Sequence, residues 1–249
     1  MENDIAKAGK TKNIFKRLLF NIGCSLGVEE INVYFVSGMC NNCSVFDGII
    51  LPKGYNKKYM EWIIPDMNDT LEEYALKMAK DIDTSKPFVL VGYSFGANIV
   101  QEMNKFITPE KNIIISSMKR KEEIPAIFNF AHSIHFAERV PDKVLAATDF
   151  IINVFTKFIY NMPTDKITRY MVYTDPVYLK WSIRQITNWQ PVDECKHIYH
   201  IHGTKDQIFP YDQISDDVYT IKGGDHLMVM ERAHEVSDVI SMILTKREH

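Results

Sequence analysis

The stretch Phe88-Val89-Leu90-Val91-Gly92-Tyr93-Ser94-Phe95-Gly96-Ala97 decides how this chain is read. An apolar run ends at Gly92, and Ala97-Asn98-Ile99-Val100-Gln101-Glu102-Met103 continues with helical character. A strand-to-helix hinge this sharp lifts the central serine hydroxyl above the sheet. It also forces backbone contacts that only small residues such as Gly92, Gly96 and Ala97 permit. Ser94 is therefore a candidate nucleophile. G-x-S-x-G alone arises often by chance, and the flanking strand and helix give it weight. The competing reading is an ordinary strand-helix junction with Ser94 as N-cap.

A serine hydroxyl is a poor nucleophile until a base takes its proton, and two later segments supply the partners. In His200-Ile201-His202-Gly203-Thr204-Lys205-Asp206, a strand breaks at Gly203 and leaves Asp206 on the following loop. In Val218-Tyr219-Thr220-Ile221-Lys222-Gly223-Gly224-Asp225-His226, a glycine pair ends another strand and His226 follows it as the candidate base. Eight histidines compete for that role. Alternation puts His200 and His202 on one face of a strand, where they cannot reorient as a loop residue can, and they read as supporting groups. Asp225, adjacent to His226, points its side chain elsewhere, and Asp212, Asp216 and Asp217 read as a solvated loop.

The order Ser94, Asp206, His226, each just past a strand, resembles the α/β-hydrolase superfamily from about Ile31 onward, through "GYSFGA", "HGTKDQIFP" and "GGDH". The resemblance implies Ser94 as nucleophile, His226 as general base and then acid, and Asp206 as the carboxylate that orients the imidazole. It also implies an oxyanion hole made by the backbone N–H groups of Phe95 and Met39, the latter on the loop Ser37-Gly38-Met39-Cys40-Asn41-Asn42-Cys43. Ser37 stands where the family often has histidine, and Asn41 and Asn42 are further possible donors. Cys40 and Cys43 form a C-x-x-C, but with no second cysteine pair and no thioredoxin-like context it reads as two small thiols in a tight loop rather than a metal or redox site.

Composition sets the frame: 249 residues, 46% hydrophobic, 24% charged and a net charge of −3 suit one large domain. No basic block argues for nucleic acid, since Lys119-Arg120-Lys121 runs straight into Glu122-Glu123. Residues 1–12 lack the pattern of a signal peptide and no stretch approaches a membrane span, so a cytoplasmic location is expected.

Strands are predicted at 31–36, 61–64, 88–91, 112–116, 197–202 and 218–221, with a leading helix at about 12–24 and a capped helix opening at Thr70 with Glu73 three residues on. This alternation predicts an α/β fold, a doubly wound, mostly parallel sheet. Residues 118–190 break the rhythm with successive helical stretches, among them 150–160 and 178–189. They are predicted to form a helical cap on a core of 1–117 and 191–249. The cap's aromatics either line an acyl pocket or pack its own core, and Arg169, Arg184, His132 and His135 are possible polar selectors. The sequence thus predicts a serine hydrolase acting on a small-molecule carboxylic ester or related acyl bond, with no metal or organic cofactor. Thioester hydrolysis, acyl transfer or a non-catalytic binding role of the same fold are the alternatives.

Overall fold

The computed structural model describes residues 30–139, 141, 169–193, 195, 198–215 and 217–246. The chain divides into two units, Met1–Glu30 and Ile31–His249. The leading helix expected at 12–24 and the helical stretch at 150–160 lie outside the described residues, as does Asp216.

Six strands form a single parallel sheet: β1 (Ile31–Val36), β2 (Tyr55–Met60), β3 (Phe88–Tyr93), β4 (Lys111–Ile115), β5 (Ile198–Gly203) and β6 (Tyr219–Ile221), in the spatial order β2-β1-β3-β4-β5-β6. From β1 the chain steps outward to β2 and then returns to the other side of β1 as β3. The loops leaving β1 and β3 therefore diverge, which opens a crevice at the carboxyl ends of these neighbours.

Both faces are covered, as a parallel sheet requires. Helices α1 (Leu71–Ala79), α2 (Phe95–Met103) and α5 (Pro176–Asn188) share one apolar cluster with Tyr34, Val36, Leu90 and Ile114. Helices α6 (Met228–Glu231) and α7 (Ala233–Thr245) share the other with Val33, Phe35, Val89, Val91 and Ile113. Residues alternating along one strand thus serve opposite cores, and β3 is buried throughout. Helix α1 starts with a full capping box: Glu73 N–H donates to Thr70 Oγ1 at 3.1 Å, and Thr70 N–H donates to the Glu73 carboxylate at 2.9 Å. Its Leu71, Tyr74, Ala75 and Met78 then bury one stripe.

One strand differs from the sequence reading. The second strand is Tyr55–Met60, and residues 61–64 follow it outside any regular element. The true strand is polar because it is an edge: among the described residues it pairs only with β1, and its Lys57 ammonium donates to the carbonyls of Phe46 and Ile49. Of the apolar run 62–64, Trp62 enters the core, while Ile63 and Ile64 remain exposed.

Between β4 and β5 the described residues include α3 (Ala126–Ser133), α4 (Phe136–Arg139) and α5. Helix α3 buries none of its side chains, whereas α5 buries Tyr178, Leu179 and Trp181. Trp181 packs on Tyr74 of α1 and Phe95 of α2, and its indole N–H donates to Asp69 O at 2.8 Å. These aromatics fill the protein's core rather than line an open pocket.

Candidate active site

The hinge at Ser94 is built as the sequence implies. Ser94 has φ 53° and ψ −122°, a backbone region costly for a residue with a side chain and found where surroundings enforce it. Its N–H donates to Ile115 O at 2.9 Å, and its carbonyl accepts from Ser117 Oγ at 2.9 Å. A Cβ at Gly92 would fall 2.5 Å from Cα of Ala97, and one at Gly96 would fall 2.3 Å from the carbonyl oxygens of both Val36 and Ser37. The second contact presses the start of α2 against the end of β1. Ser94 makes no N-cap hydrogen bond with its side chain, so the ordinary-junction reading does not hold.

The Ser94 hydroxyl instead faces His226 Nε2 at 3.1 Å. On the other side of the ring, His226 Nδ1 lies 3.0 and 3.2 Å from the Asp206 carboxylate oxygens. A carboxylate can only accept, so Nδ1 carries the proton and Nε2 offers its lone pair to the serine. His226 is buried, with its carbonyl accepting from Tyr93 O–H at 2.8 Å and its ring between those of Tyr93 and Phe209. Asp225 turns away as expected, accepting from Leu227 N–H.

Asp206 Oδ1 also accepts from the Ile208 and Phe209 N–H groups at 2.9 and 3.0 Å. Burial pushes this carboxyl upward, but the charge and hydrogen bond of His226, the nearby His202 and the Phe209 N–H outweigh it and hold the group at about 2. The two loops are locked together: Lys205 N–H donates to Gly224 O at 2.8 Å, and a Cβ at Gly203 would lie 2.3 Å from that same oxygen. His200 and His202 are buried neighbours, with His202 Nε2 on Phe209 O at 2.8 Å and His202 Nδ1 on His200 Nε2 at 3.2 Å. Burial lowers the pKa of both, so they brace the acid loop as neutral rings.

The loop after β1 is a tight turn in which Cys40 takes φ 67° and Asn41 N–H donates to Gly38 O at 3.0 Å. Ser37 Oγ donates to Asn41 O. The backbone N–H groups of Asn41 and Asn42 are both engaged, the latter with Tyr170 O at 2.9 Å, which removes them as oxyanion donors. Met39 N–H has no partner among the described residues, and Phe95 N–H is one of the first four of α2, which no intrahelical carbonyl reaches. Cys40 and Cys43 are buried free thiols; burial raises both, and with the Glu61 charge pushes Cys43 to about 12. No group of three or more potential metal ligands is found among the described residues.

Of the suggested polar selectors, Arg184 is spent on structure, donating to the carbonyls of Met67 and Asp69. His132 contacts Asn188, and Arg169 stacks on Tyr170. What sequence reading missed is the far side of the loop: Trp62, Glu61, Tyr170, Tyr173 and Tyr178 all hold it. In the sequence Trp62 reads only as part of the strand expected at 61–64 and carries no distinct signal.

A family model described as the alpha/beta hydrolase family matches residues 63–239. The chain belongs to that family. Among curated proteins, no sequence matches it. Alpha/beta hydrolase folds similar to it include MenH from S. aureus, at TM-score 0.69 and 15% identity over 86% of this chain and 93% of that one. A thermophilic esterase from Thermogutta terrifontis gives 0.61 at 15% identity over 86% and 89%. A Bacillus megaterium epoxide hydrolase gives 0.65 at 10% identity over 87% and 94%.

Proposed function

We propose that this alpha/beta hydrolase cleaves a carboxylic ester or related acyl bond of a small molecule through an acyl-enzyme on Ser94. The observation that carries the reading is the unbroken line from Ser94 Oγ through His226 to Asp206, with the ring nitrogens in the order a general base needs.

The chemistry follows from that order. Ser94 Oγ attacks the carbonyl carbon while His226 Nε2 takes its proton. The imidazolium that forms is stabilised by Asp206, which stays ionised because its carboxyl lies far below neutral pH. The tetrahedral oxyanion rests on the N–H groups of Phe95 and Met39. His226 then returns the proton to the leaving group, and a water activated by the same nitrogen releases the acid. No step calls for a metal or organic cofactor.

In this reading residues 118–190 act as a cap over a core formed by 1–117 and 191–249. Support comes from α5, whose Tyr178 and Trp181 reach the rings of Trp62 and Phe95 beside the serine. No helix among the described residues is long and apolar enough to cross a membrane. The free buried thiols of Cys40 and Cys43 suit the cytoplasm.

A fluorophosphonate tests the proposal, because it labels only a serine activated by its base. The expected result is one adduct, mapped to Ser94 and absent in Ser94→Ala, with ester turnover that varies with acyl length. Equal ester turnover by both forms would sink the acyl-enzyme on Ser94, and turnover by neither, with no adduct, would favour a binding protein.

A further inference from the structure

The geometry points to Trp62 as the positioning residue that sets both oxyanion donors at once, an inference that rests on the acyl-transfer reading above. A peptide unit is planar and trans, so fixing its carbonyl oxygen fixes the direction of the N–H on the opposite edge. The unit that carries Met39 N–H has Gly38 O as its carbonyl. That oxygen accepts two hydrogen bonds, from Trp62 Nε1–H at 3.1 Å and from Asn41 N–H at 3.0 Å. Donation into this carbonyl also polarises the amide, which strengthens Met39 N–H as a donor.

The same indole stacks on Phe95, the residue that carries the second donor, with ring centroids 5.5 Å apart and planes 14° from parallel. Trp62 is 4% exposed and Phe95 is fully buried, so neither ring can move independently of the other. One side chain from the segment after β2 thus ties the loop after β1 to the start of α2.

Tyr178 braces the arrangement from the other direction. Its hydroxyl accepts Cys40 N–H at 3.3 Å and its ring lies 5.5 Å from that of Trp62. The residues leading into α5 complete the hold: Val172 and Tyr173 N–H both donate to Cys40 O, at 3.0 and 3.1 Å. With Cys40, Asn41, Asn42 and Cys43 N–H all engaged, the four residues after Met39 are held in place and oppose rotation of its peptide.

The test separates oxyanion positioning from packing. Trp62→Phe keeps an aromatic ring and loses the N–H. The readouts are kcat and KM on a p-nitrophenyl ester, and inhibition by a trifluoromethyl ketone, whose serine adduct is an oxyanion. Losing a direct donor costs about 10²–10³ in kcat. A donor displaced rather than deleted should lower kcat about tenfold, raise the ketone's Ki by the same factor and leave KM within about twofold. Tyr178→Phe should show the same signature at about threefold.

A folded Trp62→Phe with kcat and Ki within twofold of the parent overturns the assignment, as does a rise in KM alone. If Trp62→Phe is too unstable to assay, a benzothienyl side chain placed at position 62 decides by the same criteria, since it keeps the stack and lacks only the N–H. Ser94→Ala run in parallel keeps the two questions apart: an active Ser94→Ala defeats the hydrolase reading, whereas an inactive Ser94→Ala beside an unimpaired Trp62→Phe defeats only the role of Trp62.

Discussion

The turns that present Ser94, Asp206 and His226 are set largely by nearby backbone, whereas the loop after β1 is shaped by groups far away in the chain. The turn at Ser94 follows from Gly92 and Gly96, Asp206 is fixed by the N–H groups two and three residues on, and His226 follows the Gly223-Gly224 turn. On the other side, Cys40 N–H meets a tyrosine 138 residues later, and Gly38 O depends on an indole 24 residues away. Local conformation delivers the three side chains to the sheet edge. Long-range packing aims the proposed oxyanion donors.

The sharpest break between the two halves is Ser94→Ala. It removes the nucleophile and leaves the loop intact, so ester turnover should fall by on the order of 10⁵–10⁶ with an unchanged melting temperature. A residual rate near the parent's would mean that the local half carries no chemistry.

Asp206→Asn acts within the same half and should cost about 10⁴ in kcat by presenting the wrong imidazole tautomer to the serine. It also carries a stability signature. The folded carboxyl lies at about 2 against an ordinary 3.8, so its contribution is present in full above about pH 4 and disappears as pH falls towards 2. By linkage this amounts to about 2–3 kcal/mol. Urea unfolding at pH 7 and pH 2.5 should show the parent losing about two-thirds of that amount more than Asp206→Asn; parallel losses would refute the depressed carboxyl.

Gly96→Ala tests the seam between the halves. Its methyl group would collide with the Val36 and Ser37 carbonyls, both backbone and unable to yield cheaply. Forcing a shift there should cost about 1–3 kcal/mol and lower kcat by separating the hinge from the β1 loop. Stability falling with kcat untouched would show that the two halves need not be in register.

The smallest effect is expected remote from both. Thr70→Ala removes the cap of α1, at about 1 kcal/mol and a drop of about 2–4 °C in melting temperature, with kcat and KM unchanged. A change in kcat would extend the long-range half of the comparison as far as α1.

Much of this was written in the chain because the physics is local. A continuous β-branched run is a doubly buried parallel strand, T-x-x-E opens a helix, and strand-helix alternation demands a parallel sheet. Each of these matched the structure within a residue or two at β1, β3, β4, β5 and β6. The second strand was misplaced for an equally local reason: hydrophobicity marks burial, and an edge strand of tyrosines, lysines and an asparagine is barely buried while the coil beside it holds Trp62.

The sequence by itself determined five of the six strands, the hinge at Ser94 and the loops that carry Asp206 and His226, because glycine spacing and apolar periodicity act over a few residues. Only the tertiary structure decided that Ser94 meets His226 rather than capping its helix, that the Asn41 and Asn42 amides are engaged, that Arg184 holds a loop, and that Trp62 joins Gly38 O to Phe95. Those outcomes depend on which distant groups share a buried volume. No periodicity in the chain encodes that, since it emerges only when both faces of the sheet are packed.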